Sequence, residues 1–174
     1  MGWKTKKVKM IVQILLVLFY NSNAFGQYQD TKHDTHFHRN HIAIFTGATT
    51  ELEREKGTDF TIGVDYVRRF SKSGLLGIGV FGEVNFDKHT ELVFGLPLYF
   101  YPTNNFWLRA GPGLDIHKKE EKSHSNETEV GYVIRTGLGY DFEISGFTIG
   151  PNLSIDFFRE KTSLVWGINI GRGF

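Results

Sequence analysis

From residue 41 to residue 174 one pattern recurs eight times: an apolar side chain at every second position, opposed by a row of small or polar ones. A period of two sends successive side chains to opposite faces of a strand, so each repeat reads as a strand with two unlike faces. The closing stretch, SLVWGINIGRGF at 163–174, shows it plainly: Leu164, Trp166, Ile168 and Ile170 alternate with Val165, Gly167, Asn169 and Gly171. The same reading predicts strands over 41–48, 58–70, 76–86, 92–100, 106–117, 130–142 and 147–157. Tight turns are expected at SKSG (71–74), at PTNN (102–105) and near Ser145 and Gly146, where the turn chemistry is strongest. Longer, charged connections are expected at TTELEREKG (49–57) and KKEEKSHSNETE (118–129), with short ones at DKHT (87–90) and REKT (159–162). Eight antiparallel strands, with tight turns at one end and, at the other, two long charged connections beside the short DKHT and REKT, predict an all-β, up-and-down barrel.

Periodicity alone does not say which face is inside, but volume, composition and the aromatics do. Four or five large apolar side chains on each of eight strands exceed what the interior of an eight-stranded barrel holds, since that interior is only just filled by side chains. The opposing row is rich in Gly, with charges of both signs, which suits a narrow lumen in which Glu83, Arg109, Asp115, Arg135 and Asp156 pair with one another. Phe70, Phe100, Phe106, Phe142, Phe147 and Phe174 fall at the short-turn ends of strands; Phe60, Phe86, Phe94, Tyr132, Phe157 and Trp166 fall near the opposite ends. Two aromatic belts flanking an apolar band are the girdles of a barrel that spans a membrane. The apolar row is therefore expected to face lipid. A soluble, lipocalin-like carrier would need that row to point inward.

The first 26 residues carry Lys4, Lys6, Lys7 and Lys9, then the apolar run MIVQILLVLFY, then a small and polar stretch ending at Gly26. This is the layout of a cleaved secretory signal peptide, and the run is short for a spanning helix. The chain as written has a net charge of +1; losing the four lysines leaves −3, so no basic footprint for nucleic acid is present. No Cys is available for a disulfide or a thiolate site. Residues 27–40 are polar and irregular and are expected to form a flexible leader, with the barrel over 41–174.

Segments such as IAIFTGATT, GLPLYFYPT, LRAGPGLD and LVWGINIGRGF, together with the terminal aromatic Phe174, resemble the small bacterial outer-membrane barrels typified by OmpX and the membrane domain of OmpA. The resemblance implies a Gram-negative outer membrane and no catalytic residues, and a lipid-embedded monomer is expected. It also implies that the C-terminal strand, through Trp166, Ile168, Ile170 and Phe174, is the signal read by the barrel-assembly machinery.

Two further constellations could carry chemistry. His33, His36, His38 and His41 form H-x2-H-x-H-x2-H in the leader, a spacing that can wrap a transition-metal ion, although solvated tail histidines are the commoner case. His124 stands between Ser123 and Ser125, with Glu127 and Glu129 nearby, but a catalytic Ser, His and acid must be held in mutual hydrogen-bond reach, and this set falls in an expected loop. The expected function is thus a structural or surface-interaction role at the envelope, without enzymatic activity or cofactor. The alternative is a minor pore for ions or small solutes, or a metal-related role for the His leader.

Overall fold

The computed structural model describes residues 37–52, 57–86, 90–120 and 126–174, with the side chains of 118–120 and 126–128 left outside that description. Ten strand segments make eight passes: β1 (Asn40–Glu51), β2 (Thr58–Arg69), β3 (Leu76–Phe86), β4 (Glu91–Gly95), β5 (Leu98–Phe100), β6 (Phe106–Glu120), β7 (Asn126–Tyr140), β8 (Phe142–Ile144), β9 (Phe147–Phe158) and β10 (Thr162–Gly173). Each pass pairs antiparallel with the next, and β10 pairs with both β9 and β1, which closes the sheet. The seam runs from His41 opposite Gly173 to Glu51 opposite Ser163, and Asn40 and Phe174 exchange backbone hydrogen bonds of 3.0 and 2.9 Å at its end.

Two passes are interrupted without changing register. Pro97 breaks the fourth because it has no N–H to give the ladder. Its carbonyl still accepts from Gly79 N at 2.9 Å, and Leu96 N still reaches Pro112 O at 3.0 Å. Asp141 divides β7 from β8, its N–H turning to Asn105 O at 2.9 Å. The β8–β9 hairpin turns on Ser145 and Gly146, with φ of 52° and 82°, the pair of positive values that a two-residue turn matching the twist of its strands requires.

The apolar row faces outward on every pass. Ile44, Val64, Val80, Leu98, Ile134, Leu153 and Ile168 are each between 40 and 60% exposed, while Phe45, Asp65, Phe81, Tyr99, Val133, Ser154 and Asn169, one step along, are buried. Strands of 12 residues rise ~40 Å along their length, enough to cross a hydrocarbon core when tilted as barrel strands are. A closed ladder is also the condition for β-structure to survive in lipid, since closure leaves no strand at an open edge. The fold is an eight-stranded antiparallel barrel of the transmembrane kind.

Several expected boundaries shift. The first strand runs on to Glu51 rather than stopping at residue 48, with Thr49 buried and bonded to Thr61 at 2.7 Å. The expected loop at 118–129 is largely strand: the β6–β7 ladder continues through His117 opposite Glu129 to Glu120 opposite Asn126. Backbone pairing needs no apolar side chain, so a polar hairpin extension is invisible to a reading based on hydrophobic alternation. The last residues of the expected leader are tied in as well, Arg39 O accepting from Arg69 N at 2.7 Å and Asn40 opening β1. Residues 1–36, which contain the expected signal peptide and most of the leader, lie outside the described residues.

Closure has a direct readout. The exported protein run on a gel in SDS is expected to migrate differently before and after boiling, because a ladder without edges opens only on heating. A single mobility would contradict the closed barrel.

Candidate functional site

The lumen is built by the inward row. Gly residues there clear space for inward aromatics: a Cβ on Gly95 would run into the Phe81 ring, and one on Gly139 into Trp107. Phe45, Phe81, Tyr99 and Trp107 are all at most 3% exposed, so the interior is as much aromatic as charged. Sequence reasoning missed Phe45 and Phe81, because an alternation-based reading places large apolar residues outside.

The five charged residues expected to pair with one another separate into three settings. Arg135 lies across the middle of the barrel. Its guanidinium donates from Nε and one terminal nitrogen to the two carboxylate oxygens of Asp156, both at 2.6 Å, and from the other nitrogen to Glu83 Oε1 at 2.5 Å. The Phe81 ring lies 4.2 Å from the guanidinium carbon, closing the fourth side. Charge-assisted pairs of this geometry are the strong class of hydrogen bond.

Arg109 pairs with Asp65, at 2.7 Å, rather than with a member of the expected set. It also donates to Ser154 Oγ at 2.9 Å, and the Tyr99 hydroxyl donates to Asp65 Oδ1 at 2.9 Å. Ser154 continues through Asn152 to Asn169, with hydrogen bonds of 3.2 Å each. Toward the chain termini this layer gives way to Val67, Tyr99, Tyr101 and Trp107 packed together, and Arg69 lies 3.6 Å over the Tyr101 ring. A cavity of about 10 Å³ is bordered by Asp65, Tyr101, Trp107 and Asp141. That is the room of a single water.

Asp115 stands apart from both arginines, toward the end where the longer connections lie. Asp115 Oδ2 is 3.0 Å from His117 Nδ1, and His117 Nε2 is 3.8 Å from Glu129. Extending the β4–β6 ladder by one residue beyond Leu92 opposite Ile116 sets Glu91 opposite His117. Glu91 accepts from Lys161 Nζ at 2.6 Å and from Asn85 Nδ2 at 3.2 Å, and Lys161 also lies 3.6 Å from Glu51. Burial works to lower the pKa of Lys161, which lies in the β9–β10 connection, but the hydrogen bond and charge of Glu91 outweigh it, so the ammonium sits above the ordinary lysine value. Asp65, Glu91, His117 and Lys161 were not singled out from the sequence; their partners are cross-strand or across the lumen, and register cannot be read from composition.

Of the four leader histidines, His33 and His36 lie outside the described residues. His38 is exposed, whereas His41 turns into the barrel with Nε2 2.7 Å from Thr148 Oγ1. Ser123, His124 and Ser125 also lie outside the described residues. Trp166, Ile168, Ile170 and Phe174 point outward, each between 46 and 63% exposed.

No protein-family model and no curated relative matches this sequence. Solved structures do. The N-terminal β-barrel domain of Pseudomonas aeruginosa OprF superposes with a TM-score of 0.56 at 13% identity, covering 79% of this chain and 99% of that one. Ail, the attachment invasion locus protein of Yersinia pestis, gives 0.55 at 12% identity, covering 80% of this chain and 100% of that one. Neisserial surface protein A gives 0.52 at 10% identity, covering 78% of this chain and 96% of that one. All three are similar in fold to this chain, and each matches over nearly its whole length.

Proposed function

We propose that the chain is a monomeric, exported protein of the bacterial outer membrane whose lumen is a structural plug. Its role is structural or interactive at the cell surface, exerted through the end that carries the extended β6–β7 hairpin, and no catalysis is involved. The observation that carries this reading is the middle layer: Arg135, clamped by Glu83 and Asp156 and covered by Phe81, is 1% exposed. An ion crossing the barrel would have to displace a doubly paired guanidinium in surroundings of low dielectric, which is costly. The likeness to OprF, Ail and Neisserial surface protein A supports the outer-membrane location through the fold. The outward row of β10, ending on Phe174, serves in this reading as the surface offered to the assembly machinery, and lipid is the partner of the apolar band.

The test is electrical. Inserted into planar lipid bilayers, the purified protein is expected to give no unit conductance. Defined current steps, altered when Arg109 or Arg135 is replaced, would replace the plug with the pore reading.

A further inference from the structure

We infer that Glu91, Asp115 and His117 form a binding site for a divalent transition-metal cation of the zinc type at the loop end of the barrel. The three side chains come from adjacent passes, β4 and β6, and all point inward. Each offers one donor atom, and these atoms lie within 4.8 Å of one another. Donors around a tetrahedral ion at 2.0–2.2 Å stand about 3.4 Å apart, so small side-chain rotations close the set. One imidazole nitrogen and two carboxylate oxygens are a donor set that suits zinc and its neighbours in the transition series.

A second observation points to a ligand. Asp115 is 2% exposed; its Oδ2 is engaged by His117, and Oδ1 is buried with no N–H or hydroxyl donor. The carboxyl faces that of Glu91, so the two acidic groups share one small space that a cation would bridge. A buried carboxylate oxygen without a donor is costly, and an ion shared with Glu91 removes that cost. Among the described side chains, Lys161 is a cation beside the site, 2.6 Å from Glu91 and 3.6 Å from Glu51. It holds Glu91 in place and competes for it, so the site is tuned by a resident ammonium. Glu91 and Asp115 are supported in turn by Asn85 and by the lumen wall, while His117 remains part-exposed, which gives an ion a way in from the loop side. This site is on the opposite end of the barrel from His38 and His41.

The experiment is a calorimetric titration of the exported protein in detergent with Zn²⁺, and with Ca²⁺ as a hard-cation control. One Zn²⁺ per chain is expected. His117→Ala should weaken it by more than the ~10-fold that loss of even an outer-sphere partner costs. Lys161→Met, which removes the competing ammonium, should tighten it. A combined His33→Ala, His36→Ala, His38→Ala variant should bind as the parent does. Co²⁺ should give a ligand-field absorption that His117→Ala abolishes. No Zn²⁺ binding overturns the proposal. So does binding lost with the leader histidines but kept in His117→Ala, which would place the metal on the leader. Calcium held as tightly as zinc, and indifferent to His117, overturns it as well. Heat-dependent gel mobility verifies that each variant is folded, and Asp115→Asn is read only beside it, since His117, being part-exposed, is the substitution the fold tolerates best.

Discussion

Replacing Arg135 by methionine is expected to destabilise the barrel by about 3–5 kcal/mol, the cost of removing one partner from a buried ionic set. The size follows from what remains. Glu83 and Asp156 are 3% and 2% exposed, and Arg135 is the residue that ties them together. Without it two buried carboxylates are left with Arg109, already paired with Asp65, as the neighbouring cation, and each must stay charged with little compensation or take up a proton. The measurement is the urea midpoint for unfolding from lipid vesicles, followed by heat-dependent gel mobility. A companion variant separates charge from packing. Changing Arg135→Met together with Glu83→Leu and Asp156→Leu leaves no charge stranded and should recover most of the loss, because a buried ion pair exchanged for well-packed apolar groups is often neutral or better. If Arg135→Met alone proved as stable as the parent, water would have to reach the carboxylates, and the middle layer would not be a plug. Equal losses in the single and the combined variants would mean that Arg135 matters for the volume it fills against Phe81 rather than for its charge.

How much of this was legible beforehand divides along a physical line. Properties that repeat with the strand period were readable: the eight passes, the outward row from Ile44 to Ile170, and the belts containing Phe60 and Phe100. Each rests on local alternation, and the closed ladder preserves parity even across Pro97 and Asp141. Pairings set by register were not readable. Arg109 meets Asp65 from 44 positions away, and Arg135 meets Glu83 from 52, distances over which sequence order says nothing about which row faces which. For the same reason Asp115 belonged by composition with the arginines and by geometry with Glu91 and His117. Inward aromatics such as Phe81 were hidden by the rule that made the outward row visible. The polar hairpin beyond His117 was hidden because a backbone ladder needs no hydrophobic alternation to form.

The outward band makes its own prediction, since its depth profile is written in the chain. Along β2 the outward residues run Phe60, Ile62, Val64, Tyr66 and Arg68, and along β10 they run Trp166, Ile168, Ile170 and Arg172. Toward the end of the barrel that holds the chain termini, both rows reach an exposed arginine after a string of mainly apolar residues, with an outward phenylalanine, Phe70 or Phe174, two positions beyond. A long cationic side chain at that height reaches the headgroups while its stem lies along the hydrocarbon, so Arg68 and Arg172, beside the girdle aromatics Phe70 and Phe174, mark that edge of the apolar band. Val64 sits midway between Phe60 and Arg68 and is 52% exposed. Val64→Arg is therefore expected to cost about 2–4 kcal/mol when unfolding is measured from lipid vesicles, whereas Phe60→Arg, at the far girdle, should lose about 0–1 kcal/mol through its charge, in addition to the stacking with Phe86 that it gives up. The order matters more than either value. In water Val64 would be an ordinary half-exposed surface position, and Arg there would be close to harmless. Equal, small effects at both positions would mean that the apolar row is not in hydrocarbon; a peak at Val64 falling off toward Arg68 means that it is.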